Sequence, residues 1–116
     1  MGLESEVKHN ALVYLTIDDL LRTGYSTNQI FMFQAYDENG VAGEIDLYAV
    51  NGRYTLLFEM KCSYNSKTYN KAVKQLNRAK HYFFKTHLHL DKRLFKFMVH
   101  YDKNQESGYS YKWVRE

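Results

Sequence analysis

A chain of 116 residues, 45% of them apolar, has the size and core-forming content of one compact domain, which excludes general disorder. A net charge of +3 does not by itself mark a nucleic-acid binder, and a single cysteine, Cys62, excludes an internal disulfide and suits a reducing interior. No apolar run reaches membrane-spanning length and the first residues carry no signal-peptide pattern, so a cytoplasmic protein is expected.

Residues 3 to about 22 read as a helix, with Leu3, Val7, Tyr14, Ile17 and Leu21 as its inner stripe at three- and four-residue spacing. Gly24 is placed to end it. Residues 30–36 are β-rich and read as a first strand, and Asp37-Glu38-Asn39-Gly40 is turn chemistry. A second strand covers roughly 43–50. Asn51-Gly52 is the strongest short signal for a hairpin turn, and a third strand follows over 53–62. Residues 66–86 read as a second helix with Ser66 as N-cap and Tyr69, Val73, Leu76, Ala79 (or Lys80) and Phe83 as its stripe. Leu94 to Tyr101 alternates like a strand, 102–108 is a polar loop, and Tyr109 to Val114 is a short last strand. The order α-β-β-β-α-β-β predicts an α/β (α+β) chain, a mixed central sheet flanked by helices, in a single domain spanning 1–116. There is no proline, so Gly, Asn, Asp and Ser must set the turns and helix ends.

Residues two apart in a strand share a face, which groups Glu44 with Asp46 and Glu59 with Lys61. A hairpin at Asn51-Gly52 sets Asp46 roughly opposite residues 57–59. Asp46 and Glu59 could then share a cation, and Mg²⁺ favours one or two carboxylates completed by waters and phosphate oxygens. Lys61 beside them suits the charge of a phosphoryl transition state. The structural alternative is an ion pair on a solvated sheet face, and spacing alone leaves both open. Glu44 could serve a second metal or accept from a nearby basic residue. Alternation turns Cys62 away from Lys61, as a buried structural thiol. His9, His81, His87, His89 and His100 form no tight Cys/His zinc set and are expected at the surface or at helix ends. Between Lys61 and Arg93 there are nine Lys or Arg and one acid, Asp91, a basic flank suited to a polyanion. The eleven tyrosines and seven phenylalanines suit either a core with wet rims or base stacking. No glycine-rich phosphate loop and no Ser/His/Asp arrangement is present, which removes P-loop enzymes and serine hydrolases.

GEIDLYAV at 43–50, followed after Asn51-Gly52 by YTLLFEMKC at 54–62, resembles the core of the PD-(D/E)XK nuclease superfamily over nearly the whole chain. The small archaeal Holliday-junction-resolvase-like and VRR-NUC-like nucleases are nearest in character. Ile45 stands where the family often has proline. The resemblance implies a restriction-endonuclease-like core and Mg²⁺ or Mn²⁺ held by Asp46, Glu59 and the Met60 carbonyl, with Lys61 orienting the hydrolytic water. It also implies a carboxylate from the first helix. Glu4 and Glu6 both flank the inner stripe, and Glu6 keeps the helical phase of the archaeal resolvases. Gln75 matches a second-helix glutamine of exonuclease-like members. Lys71, Lys74 and Arg78 share its side as nucleic-acid contacts. The implied activity is a metal-dependent DNA endonuclease, structure-selective because one small domain leaves no room for separate sequence recognition. A homodimer would set two sites on a branched substrate, and Tyr109, Tyr111 and Trp113 line one face suited to an interface. The alternatives are a nuclease-like fold kept for binding DNA or protein without turnover, and an RNA-processing nuclease.

Overall fold

A computed structural model describes residues 3–38, 40–86 and 93–115. Helix α1 (Leu3–Arg22) leads through a 3₁₀ turn (Thr27–Gln29) into β1 (Ile30–Glu38), β2 (Val41–Val50) and β3 (Tyr54–Lys61). Helix α2 (Ser66–Thr86), β4 (Arg93–Tyr101) and β5 (Tyr109–Val114) follow. The five strands form one sheet in the order β1-β2-β3-β4-β5. β1, β2 and β3 are an antiparallel meander, β3 and β4 are parallel, and β5 pairs antiparallel with β4. Only the parallel pair needs a crossover, and α2 lies within it. The molecule is therefore α+β, with a mixed sheet between two helices. No helix among the described residues is long and apolar enough to cross a membrane.

The helices cover opposite faces of the sheet. Ala72, Leu76, Ala79 and Phe83 of α2 pack on Tyr36, Ile45, Leu57, Met98 and Val114. Leu12, Val13 and Leu20 of α1 pack on Leu47, Ala49, Phe58, Met60 and Val99. The α2 stripe is the expected one, with Tyr69 and Val73 at its margin.

The α1 stripe is not. Leu3, Val7, Tyr14 and Leu21 are exposed, and the buried positions are Leu12, Val13, Thr16 and Leu20. At 100° per residue the true inner face lies roughly a third of a turn from the expected one. Two apolar stripes coexist on this helix, and spacing scores them alike. Tyrosines of β4 and β5 bond to the helix in the orientation that buries the second stripe. The Tyr101 hydroxyl donates to the Lys8 carbonyl at 2.6 Å, and the Tyr109 and Tyr111 hydroxyls both donate to Asp19 Oδ2. Burial, then the Asp19 carboxylate, pushes the Tyr109 hydroxyl up to about 12. Tyr109 and Tyr111 thus hold α1 onto the sheet.

Three local signals resolve into definite geometry. Gly24, at φ +109°, ends α1 with Gly24 N–H on the Leu21 carbonyl and Tyr25 N–H on the Leu20 carbonyl, the bond pair of a Schellman cap. The β2–β3 loop is three residues rather than two, and Gly52 is absent from the left-handed positions. The Asn51 side-chain oxygen closes it instead, accepting Arg53 N–H at 2.8 Å and Tyr54 N–H at 2.7 Å. The α2 cap is Asn65 rather than Ser66: its side chain accepts Thr68 N–H at 3.0 Å, and Thr68 Oγ1 accepts Asn65 N–H at 3.0 Å.

Gly43 faces Tyr36 across the β1–β2 ladder, and a Cβ there would stand 2.5 Å from the Tyr36 ring. Tyr36 is buried and stacks on Tyr82, so it has little room to retreat. Gly43→Ala is expected to cost about 1–3 kcal/mol by overpacking. Gly52→Ala, with nothing within 4 Å of the added Cβ, should stay within about 0.5 kcal/mol of wild type. Urea denaturation of the two variants measures both values, and equal midpoints would contradict the packing argument.

Candidate functional site

The sheet is regular except around Asp46. The β1–β2 register passes from Met32–Leu47 to Gln34–Ile45, omitting Phe33 and Asp46. Phe33 takes φ +55°, a strained conformation for a bulky side chain. On the other side, β2–β3 pairing ends at Leu47–Phe58, one step short of an Asp46–Glu59 pair. Alternation lapses at the same point, because Ile45 packs in the α2 cluster whereas Leu47 and Ala49 pack in the α1 cluster. Asp46 therefore sits where β2 parts from β3, and its side chain replaces the missing ladder. Asp46 Oδ2 accepts the Met60 N–H at 2.9 Å.

The same oxygen meets His9 Nε2 from α1 at 3.2 Å. That hydrogen bond raises the His9 pKa, outweighing the opposing effect of its partial burial. Glu59 follows in β3, as buried as Asp46 at 5% exposure each. Burial first, then the Asp46 charge, holds the Glu59 carboxyl well above the usual carboxylate range. Lys61 opposes this from 3.6 Å. The expected trio of Asp46, Glu59 and Lys61 is brought together at the end of β3.

This end opens into a cleft of about 740 Å³ between the N-terminal turns of α1 and the middle of α2. Glu6, Glu44 and Gln75 line it along with the trio, His9 and Met60. Glu4 is turned to the surface and pairs with Lys8 at 3.5 Å. Once the true inner face of α1 is known, the two glutamates separate clearly, with Glu6 one turn before His9. Lys71, Lys74 and Arg78 are exposed along α2 outside the cleft lining. The Met60 side chain is buried on the α1 face, and its N–H is the group that Asp46 engages.

Two expectations are corrected. Cys62 is exposed and lines the cleft, because β3 ends at Lys61 and strand alternation no longer governs its direction. His9 and His100 are not surface histidines. His9 is half-buried on Asp46, and His100 is 8% exposed, stacked on Tyr64 with centroids 4.9 Å apart. His87 and His89 lie outside the described residues. His9 is the site residue that sequence reasoning missed; its one signal was the three-residue spacing from Glu6, which puts both on adjoining turns.

Among the described residues no group of three His, Cys, Asp or Glu side chains is assembled to hold a metal ion. The two carboxylates are hard oxygen donors side by side in a buried place, flanked by His9 and Lys61. That donor set fits Mg²⁺ or Mn²⁺, which keep waters and phosphate oxygens as further ligands.

Because its folded pKa is raised, the His9–Asp46 contact adds stability that is fully present below about pH 6.5. That stability is lost as pH rises through the folded value. In Asp46→Asn the imidazole should titrate lower than in wild type, as followed by histidine NMR; an unchanged midpoint would contradict the contact. No protein-family model matches the chain, and no curated protein matches its sequence.

Proposed function

We propose that the chain is a metal-dependent DNA endonuclease of the PD-(D/E)XK type, hydrolysing phosphodiester bonds and selecting its substrate by shape. One observation carries the reading: Asp46 and Glu59, both buried, meet at a gap in the sheet that opens into a cleft, with Lys61 at its edge. A buried carboxylate pair is costly to fold and is poorly explained as a structural feature. It is well explained as half of a cation site.

Asp46 and Glu59 would hold Mg²⁺ or Mn²⁺, with the Met60 carbonyl as a further ligand. The bound cation supplies Lewis-acid polarisation of a phosphoryl oxygen and a water of lowered pKa. Lys61 contributes positive charge where the attacking water and the phosphate meet. His9 meets the same Asp46 oxygen as the Met60 N–H and fixes its carboxylate. Glu6 and Gln75 enter the cleft from α1 and α2, positioned to orient water and the sugar–phosphate backbone. The exposed Lys71, Lys74 and Arg78 continue from Gln75 along α2 as a track for the flanking phosphates. Hydrolysis then joins the water oxygen to phosphorus as one bridging P–O bond breaks, and the leaving oxygen is protonated. A homodimer, with two such sites on one branched DNA, is part of the proposal.

A second reading is a nuclease-like fold that binds DNA or a partner without turnover; among the described residues no three side-chain donors are already assembled around one point. Calorimetry separates the two, since this reading expects no Mn²⁺ binding at millimolar metal.

The decisive assay is a panel of branched, flapped, linear and circular DNA, with single-stranded RNA in parallel, with and without Mn²⁺. Asp46→Ala and Glu59→Ala are each expected to lower cleavage by roughly 10²-fold or more while DNA binding persists. Lys61→Ala should lower the rate with less effect on Mn²⁺ affinity. Full activity in either carboxylate variant would refute the assignment.

A further inference from the structure

At the opposite end of β3 the α1 side of the sheet is open. Helix α1 ends at Arg22, and beyond it a groove of about 380 Å³ runs over the starts of β3 and β4 to β5. A row of aromatic rings crosses it. Tyr54 lies 5.7 Å from Phe95, and Phe95 lies 6.0 Å from Trp113, centroid to centroid, so one ring comes from each of three adjacent strands. Trp113 is 45% exposed.

Arginines rim this row. The Arg115 guanidinium sits 4.0 Å from the Trp113 ring centroid. Arg93 lines the groove and also an adjoining hollow with Arg53. None of the described residues lining either is acidic. Partly exposed rings bordered by positive charge suit a single-stranded nucleic acid, with bases on the rings and phosphates on the guanidinium groups.

We infer that this groove binds single-stranded nucleic acid, by stacking on the Tyr54–Phe95–Trp113 row and by phosphate contacts to Arg53, Arg93 and Arg115. Two other occupants fit less well. A second copy of this chain, docked about a two-fold axis, would set these like charges against each other. An extended acidic peptide adds to a sheet edge, whereas the rings of this groove stand on the sheet face across three strands paired to one another. The surface is distinct from the cleft: Tyr54 and Lys61 stand at the two ends of β3, roughly 23 Å apart at about 3.3 Å per residue. It depends on neither a cation nor cleavage.

Trp113 is the chain's only tryptophan, so its fluorescence reports the groove directly. The test titrates an oligothymidylate of about 12 nucleotides into the protein in EDTA, with oligouridylate, a duplex and polyglutamate alongside. Saturable quenching by the single strands, stronger than by the duplex, is expected; equal quenching by oligothymidylate and oligouridylate means that the groove reads stacking and phosphate rather than sugar. Arg53→Gln combined with Arg93→Gln should reduce the salt slope by about 1.4, the loss of two phosphate contacts to a single strand. Tyr54→Leu, checked for folding by circular dichroism, should weaken binding roughly 5- to 150-fold, as the loss of one base stack does. Tryptophan emission unmoved by oligonucleotide, equal quenching by polyglutamate, or wild-type affinity in the arginine variant would each overturn the inference. So would an emission that follows protein concentration instead, which would assign the groove to a second copy.

Discussion

Asp46 carries more of this architecture than any other residue. A strand inside a sheet normally spends its backbone on both neighbours and alternates its side chains. At Asp46 the residue pairing lapses on both sides, and the side chain takes over the role of the missing backbone partner by accepting the Met60 N–H. Phe33, in the left-handed region opposite, is the strained counterpart of that break. The consequence is a gap in an otherwise continuous sheet, with Glu59 and Lys61 on its far side. Helices that cover opposite faces of the sheet can then send Glu6 and Gln75 to the same cleft.

The gap needs a fixed α1, because His9 reaches Asp46 only if the first turns of the helix stay in place. The tyrosines do this. Tyr101 anchors the N-terminal half through Lys8, and Tyr109 and Tyr111 anchor the C-terminal half through Asp19. Rings that pack on the sheet while their hydroxyls reach a partner explain part of the tyrosine content, as expected for a side chain with an apolar body and a polar tip. Trp113, on the same face of β5, has no such helix above it. The uncovered part of that face is where the aromatic row lies.

Much of this was legible in the sequence wherever one period dominated. The α2 stripe could be read because polar residues separate its apolar positions, and the meeting of Asp46, Glu59 and Lys61 followed from a period of two and a hairpin register. The rest turned on tertiary choices. Leu3, Val7, Tyr14 and Leu21 make as good a stripe as Leu12, Val13, Thr16 and Leu20, and packing on the sheet together with the tyrosine anchors on Lys8 and Asp19 decides between them. The wrong stripe hid His9 and left Glu4 and Glu6 level. Cys62 was misplaced by extending strand alternation one residue beyond the strand. Asn51 turned the chain with its side chain, which a dipeptide signature does not distinguish from a glycine-led turn.

Glu59, buried beside Asp46, holds its proton above the usual carboxylate range, and under the proposed function a cation joining the two carboxylates would release it. Glu59 reports it most directly, through its side-chain carboxyl ¹³C shift followed against pH with and without Mg²⁺. A midpoint well above the usual carboxylate range is expected in the metal-free protein, falling steeply when Mg²⁺ is added. An ordinary midpoint without metal, or a raised one that Mg²⁺ leaves in place, would contradict it.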